Sequence, residues 1–588
     1  MNAENKRSPL LPLAIFGVLF SGMILALQFF ADPPPEGIER MEDAPEALRG
    51  DVVADELDLD ALEEVTIETE KFSARLSAAG GALRSLKIKE ERYGPEEDEL
   101  AELVTTNRPE YLPFRQRIEG ARIPTDLTYR LQRASDREAV FRAETDGLVL
   151  SRKINAREGD YQLYSTLRIE NRGEKPRTLR VVDEAFHYVQ RAQEESSGII
   201  ARPSPWIAHG FCKTGSDDER LDRGDLEAPF SMGPDVRFAA IENTYFVLAM
   251  LPDSAASGVR CELFAEDRGG TSKKDADGTL FTARLYREEL TLAPGESALV
   301  RTQLYAGPKE FEALSAVGNE LDSVVDLGWF GFIGFGLIQL LSFIYGYVGE
   351  WGIAIALLTL IVKILLYPLT EKSFQSMARM RLLKPEMDRI NELYQDDREK
   401  KGAAIMELYK KHGVNPLAGC LPSLLQMPIW FALYQSLSTN IQLYHASGLW
   451  FDDLSSPDPG LLGIALIKPL PLALGGLMIV QQRISPAAMD PIQAKMMMIV
   501  MPTMITLFMY FLPAGLCVYM VTNSVLGIGQ QYWIQKRLEK QHPTQEESED
   551  PDAEPSADES AATTIKKSRP GKASRKGARS RRNRGGRS

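Results

Sequence analysis

Trp351 to Thr370 reads WGIAIALLTLIVKILLYPLT, an apolar run with one cation, Lys363, set well inside it. About 20 residues of this kind cross a bilayer as an α-helix. A lysine within such a run costs roughly 2.5 to 3.5 kcal/mol on insertion scales, so its presence argues for a use. At about 1.5 Å per residue, Lys363 stands about 10 Å from Thr370, and a lysine side chain stretches only part of that way. Two readings stand: a lysine snorkelling toward the helix end, and a charge facing a water-filled cavity in one leaflet.

The flanks of this run set its orientation. Upstream, Leu327 to Val348 (LGWFGFIGFGLIQLLSFIYGYV) has the length of a span, but Gly328, Gly331, Gly334 and Gly336 weaken it, and only Gly349 and Glu350 separate it from the lysine-bearing run. Downstream, residues 371–415 carry Lys372, Arg379, Arg381, Lys384, Arg389, Arg398, Lys400, Lys401, Lys410 and Lys411. Residues 441–460 instead carry Asp452, Asp453 and Asp458 with no Lys or Arg. The positive-inside rule therefore puts the first segment in the cytoplasm and the second outside. A single span, 351–370, then separates the exterior from the basic loop, and 327–348 is predicted to lie on the outer surface as an interfacial helix.

The basic loop, 371–415, reads as a helical hairpin. Phe374, Met377, Met380, Met387, Ile390 and Leu393 recur at near-helical spacing, and Ile405, Leu408 and Tyr409 precede Lys410, Lys411 and Gly413, a C-terminal cap pattern. The methionine stripe suits simple packing or an apolar docking surface. Asn415-Pro416 opens the next span, 416–440, as N-cap and first helical residue. Further spans are predicted at 461–482, with Lys468 near the interface, and at 496–512 and 515–534, a tight pair joined at Pro513-Ala514. Lys536, Arg537 and Lys540 keep the C-terminus inside.

The start of the chain adds a sixth span. Lys6 and Arg7 precede LPLAIFGVLFSGMILALQFF, Leu11 to Phe30, which is too long for a signal-peptide core and lacks a small-residue cleavage site, so 1–31 reads as an uncleaved anchor with a cytoplasmic N-terminus. Residues 32–64, rich in Pro, Asp and Glu, read as a linker. From 65 to 310 short runs such as VTIET, YQLYSTLRIEN and FVLAML alternate with turn residues, which predicts an external antiparallel β-sandwich with more strands than an immunoglobulin domain. A mean hydropathy of −0.20 agrees with a large soluble part. In this domain the acidic residues read as solvated faces and loops, and His187 and His209 lack a partner pattern, so no catalytic site is expected. Cys212 and Cys261 pair only if their region lies in an oxidising compartment, and the sequence leaves this open; Cys420 and Cys517 sit in apolar runs.

Net charge is −14, yet residues 566–588 hold eleven cations and no acid: Lys566, Lys567, Arg569, Lys572, Arg575, Lys576, Arg579, Arg581, Arg582, Arg584 and Arg587. Residues 541–588 thus read as a disordered cytoplasmic tail, acidic then basic, suited to ribosomal RNA or anionic lipid.

The run at 351–370, the Met-rich basic hairpin, NPLAGCLPSLLQMPIWFALYQSL and LPAGLCVYMVTNSVLGIGQQ together resemble the YidC-type membrane protein insertases, bacterial relatives of the mitochondrial Oxa and chloroplast Alb insertases. The anchor and external domain, ending near LYAGPKEF, resemble the Gram-negative form, whose periplasmic domain is a β-supersandwich similar to sugar mutarotases. The resemblance implies a polytopic α-helical protein of the bacterial inner membrane with a five-helix core. It implies a hydrophilic groove in the inner leaflet that receives the polar part of a nascent membrane protein, acting alone or beside the Sec translocon, with chaperone activity and ribosome contact and no cofactor or metal. The family's basic groove residue is usually an arginine; here the matching position is Lys363, which keeps the charge without the planar donor fork. Thr359, one turn earlier, and Gln426, Tyr519, Asn523 and Gln530 in other spans are candidate groove residues, each equally able to make an interhelical hydrogen bond. Two rival classes are a channel or transporter, disfavoured by the lack of an internal repeat, and a sugar-binding module with a membrane anchor.

Overall fold

A computed structural model describes residues 59–94, 99–124, 127–191, 207–253, 257–268, 278–394, 397–414, 421–460, 467–484 and 496–541. The anchor at 1–31, the linker up to residue 58, Asn415-Pro416 and the basic tail lie outside the described residues.

Strands run from Glu64 to Pro308 in antiparallel sheets of three, nine and six strands. The two larger sheets share one apolar core: Leu150, Phe238 and Met250 come from the nine-stranded sheet, Val181, Leu263 and Phe281 from the six-stranded one. Where a strand has one face in this core, burial alternates, as along Gln162–Asn171. Phe246–Pro252 (FVLAMLP) is buried along its whole length, as its unbroken apolar sequence requires. The architecture is consistent with the sandwich expected. A disulfide joins Cys212 of strand His209–Thr214 to Cys261 of strand Arg260–Arg268, with Cα atoms 6.2 Å apart. The first strand belongs to the nine-stranded sheet and the second to the six-stranded one, so the bridge ties the two sheets together.

Not all acidic residues of this domain are solvated, and here the sequence expectation is corrected. Asp183 is fully buried: Arg287 Nε and Nη2 donate to its Oδ2 at 2.9 and 2.7 Å, and Gln116 Nε2 and Thr302 Oγ1 donate to Oδ1, each at 2.8 Å. Glu242, also buried, pairs with Arg220 at 2.6 Å and Lys309 at 2.9 Å. Burying a carboxylate is tolerated only with such partners. Those partners come from distant strands and leave no local pattern in the sequence.

The helical part opens with α1 (Phe311–Val317) and α2 (Gly331–Val348). Trp329, Phe332, Phe343 and Tyr347, in or just before α2, are exposed. Gly349, at φ 71°, ends α2 in the left-handed conformation, and its N–H donates to Tyr345 O at 2.7 Å. Glu350 begins the next helix, its carboxylate accepting from the backbone N–H groups of Gly352 and Ile353 and from Leu449 in the loop opposite. Two residues thus stop one helix and start another, the carboxylate sitting at the positive end of the second.

That second helix, α3 (Trp351–Leu382), carries the lysine-bearing run and continues through Pro368 beyond Thr370, since the residues that follow (EKSFQSMARM) are mostly good helix formers. The hairpin consists of α4 (Lys384–Leu393) and α5 (Arg398–Lys411), the latter capped by Asp397, whose side chain accepts from Lys400 N at 3.1 Å. Leu383, Met387, Leu408 and Val414 form its small core, so Met387 is spent on packing. Then come α6 (Leu421–Thr439), α7 (Pro469–Ile484), a π-helical turn at Met496–Val500, α8 (Met501–Met509) and α9 (Ala514–Gln541).

The sheets and helices meet at the C-terminal end of α6. The Tyr245 ring packs against Tyr444, tilted by 41° with centroids 4.3 Å apart, and its hydroxyl donates to Ser438 O at 3.2 Å. Arg220 reaches Asp326 at 3.0 Å. The loop between α6 and α7 lies over the helix ends: Ser456 O and Leu454 O accept from Ala514 N and Gly515 N at 2.8 and 3.0 Å, satisfying donors that begin α9.

Candidate functional site

Packing among the helices is uneven, and the unevenness makes the site. One cluster gathers Trp351, Ala354, Ile355 and Leu358 of α3, Leu433 and Leu437 of α6, Leu470 and Leu474 of α7, and Ala514, Leu516, Cys517, Val518 and Tyr519 of α9. Beyond that level α3 loosens: Ile361, Ile364 and Leu365 are 42, 64 and 76% exposed. Lys363 lies in this looser stretch, half-buried, close to where the tight packing stops.

Helices α3 and α9 run parallel through this region. Ile355 meets Gly515, Lys363 meets Gly527, and the rings of Tyr367 and Trp533 lie 6.0 Å apart, so residue numbers rise together along the seam. A Cβ placed on Gly527 would lie 3.5 Å from Lys363 Nζ and 3.6 Å from Gln481 Nε2 of α7. Three helices therefore bring an ammonium, a carboxamide and a bare backbone together. Among the described residues Lys363 has no ion-pair partner.

The other expected residues divide. Tyr519, Asn523, Gly527 and Gln530 fall on one face of α9 by their spacing of three and four residues. Gln426 Nε2 donates to the Tyr519 hydroxyl at 2.5 Å, tying α6 to α9 at the inner edge of the packed cluster. Asn523 is half-buried, one turn before Gly527. Gln530 Nε2 is buried with no hydrogen-bond partner among the described residues. Thr359 is different: it is 1% exposed and its hydroxyl donates to Ile355 O at 2.7 Å, so its donor is already committed within the helix. Lys468 donates from Nζ to Tyr510 O at 2.7 Å, and Asp458 accepts from Gly460 N and Leu470 N at the start of α7. These two groups lie near the start of α7, beside the loop between α6 and α7.

Sequence reasoning missed Gln481 and Gly527. Gln481 had a weak signal, the Gln481-Gln482 pair that ends an apolar run within 461–482. Gly527, lacking a side chain, had none.

What can these groups do chemically? An ammonium and an amide N–H are both donors, and neither supplies a nucleophile poised against a base. Such donors can attract and hydrate anionic or polar groups. Among the described residues there is also no cluster of His, Cys, Asp and Glu suited to a metal.

Comparison with known proteins covers both parts of the chain. Residues 343–541 match the family model described as 60Kd inner membrane protein, and residues 64–340 match the YidC periplasmic domain. The protein called membrane protein insertase YidC in Nitratidesulfovibrio vulgaris is 33% identical over 497 residues, covering 81% of this chain and 87% of that one. The proteins of the same name in Citrifermentans bemidjiense and Anaeromyxobacter dehalogenans are 33% and 34% identical, each over 81% of this chain and over 86% and 85% of theirs. Among solved structures, a galactose mutarotase-like protein from Lactobacillus casei aligns with 42% of this chain and 100% of its own at 13% identity, with a TM-score of 0.29, too low to carry an argument.

Proposed function

The chain belongs to the YidC family of membrane protein insertases, and from that premise we propose that it inserts inner-membrane proteins through a wet groove whose working charge is Lys363. The observation that carries this reading is the lysine itself, half-buried in an apolar helix, without an ion-pair partner among the described residues, and set against Gly527 where the bundle loosens. A polar segment crossing hydrocarbon pays for its dehydration, about 2.5 to 3.5 kcal/mol for each Asp, Lys or Arg at the centre. A notch that admits water from the cytoplasmic side shortens the dry path, and a cation in the notch attracts acidic segments. The apolar part of the substrate meanwhile moves sideways into lipid. Neither nucleotide nor metal is required for these steps.

The finer features rest on the sequence. In this reading the chain has six spans, with both termini and the α4–α5 hairpin in the cytoplasm and the sheets in the periplasm; the loop-charge asymmetry supports it. Gln426, Tyr519, Asn523 and Gln530 line the groove, while Thr359 stiffens its upper end. A nascent chain is the substrate, the Sec translocon an optional partner, and chaperone activity follows from sheltering half-inserted segments. The hairpin and the cations of 566–588 contact the ribosome, with anionic lipid as the competing surface for the tail.

The test is a stalled nascent membrane protein with a photoreactive probe scanned through its translocated segment. Crosslinks concentrated at positions around Lys363 and Gly527 are expected. Crosslinks confined to the outer loop 441–460 would overturn the groove.

A further inference from the structure

The linker that precedes the sheets is acidic, and the sheets carry a cleft where it arrives. Residues 32–58 hold ten Asp or Glu against Arg40 and Arg49, and their last eight, 51–58 (DVVADELD), hold Asp51, Asp55, Glu56 and Asp58 with no cation. Leu59, the first described residue, is buried in a small cluster with Ala79, Ala82 and Leu112. Ala79 also lines a cleft of about 1390 Å³, together with all of residues 115–124. Pockets for small molecules are roughly 300 to 1,000 Å³, so this one has room for a stretch of chain. Ile118, Ile123, Leu127 and Leu150 give it apolar walls, and six arginines and four glutamates line it too. Glu119, Glu262 and Glu289 are answered by Arg117, Arg284 and Arg180 at 2.8, 3.2 and 2.6 Å, and Glu288 accepts from the Ser257 hydroxyl at 3.3 Å. Arg287 is spent on Asp183. Arg122 and Arg260 are exposed and make no ion pair among the described residues, Arg260 donating to the Ser231 hydroxyl at 3.3 Å.

We propose that residues 51–58 of this chain's own linker occupy the cleft, with acids on the Arg122 and Arg260 rim and Val52 and Val53 on the apolar walls. Asp60, just beyond that stretch, already sits on an arginine, its carboxylate accepting from Arg84 Nη2 at 3.2 Å. Reach is not limiting, since eight extended residues span about 26 Å at about 3.3 Å each. An occupant tethered at the cleft's edge acts at an effective concentration in the mM range, so individually weak contacts suffice to hold it. An acidic segment of another protein has no such advantage. The clasp shortens the tether between the sheets and the run at 1–31 to residues 32–50. It uses no residue of the helices, so it stands or falls apart from the groove.

The experiment uses the full chain in proteoliposomes, with a photoreactive residue in place of Val53 or, as a control, Ile38, and mass-spectrometric mapping of the crosslinked peptides. From position 53, crosslinks are expected on residues 115–124 and 258–262 of the same chain, and from position 38 far fewer. Asp51→Asn, Asp55→Asn and Glu56→Gln together lie outside the sheets and should lower the cleft crosslinks at least about threefold, exposed ion pairs being weak singly but adding over three acids. Raised salt should act in the same direction. Arg122→Glu with Arg260→Glu should also lower the yield, and Asp51→Lys, Asp55→Lys and Glu56→Lys in that background should restore it, which a misfolded sheet would not allow. If the arginine pair costs the fold, the linker triple variant alone decides. Crosslinks that fall elsewhere, that keep their yield in the triple variant, or that join two differently labelled copies overturn the clasp.

Discussion

Replacing Lys363 separates a working charge from a structural one, because the two roles predict opposite signs. Holding a cation in an apolar run costs roughly 2.5 to 3.5 kcal/mol, and Lys363 has no ion-pair partner among the described residues to offset that. Lys363→Met should therefore raise resistance to denaturation in lipid, by about 1 to 3 kcal/mol after allowing for water at the half-buried ammonium. Insertion of acidic segments should fall in the same variant. A carboxylate about 4 Å from the ammonium at an effective dielectric of about 20 is attracted by about 4 kcal/mol. Dehydration of the substrate carboxylate cancels about half, leaving about 2 kcal/mol, or about thirtyfold in rate. Lys363→Glu turns the attraction into repulsion and should be worse than Lys363→Met, whereas Lys363→Arg should retain most activity. The assay is protease protection of a membrane protein with an acidic translocated segment, in vesicles containing each variant, beside a denaturation series on the same preparations. Equal insertion by the parent and all three variants would falsify the electrostatic role, and a destabilised Met variant would show the lysine to be structural.

Other consequences are open to simple measurement. Loss of the Cys212–Cys261 bridge, with its sequence separation of 49, should lower stability by up to about 4 kcal/mol on the loop-entropy relation, seen as a drop in denaturant midpoint for Cys212→Ala with Cys261→Ala. Burial pushes the His187 imidazole down to about 4. The unfolded chain then binds the extra proton first, so stability should be full above about pH 6.5 and fall toward pH 4, by about 2 kcal/mol since the ring keeps some solvent contact. His187→Gln should flatten that dependence in denaturant titrations at stepped pH. Removing residues 566–588 should reduce salt-sensitive co-sedimentation with ribosomes, and no change would assign the contact to the hairpin or to lipid.

What could be read from the sequence was whatever repeats locally. Lys363 stood out because its neighbours are apolar, and the Gly349-Glu350 junction was visible as the sole break between two runs. Tyr519, Asn523 and Gln530 stood out as polar positions in an apolar span. Helical spacing put Thr359 beside Lys363, but spacing says nothing about a hydroxyl spent on its own helix's Ile355 carbonyl. Contacts between distant segments were out of reach. Asp183 is held by Gln116, Arg287 and Thr302, and Gln481 and Lys363 both approach Gly527 only because α7 and α3 each come up against α9. Cys212 and Cys261 faced the same difficulty, since each is a buried strand residue in a different sheet.

That cross-sheet bridge also imposes a timetable on the birth of the protein. Chains are made from the N-terminus, so Cys261 follows Cys212 by 49 residues, and the first lysine-bearing helix comes later still, from Trp351 onward. Both thiols precede α3 in the chain, so the bridge has no need of any residue of α3 to close. The sandwich can be covalently locked before the groove exists.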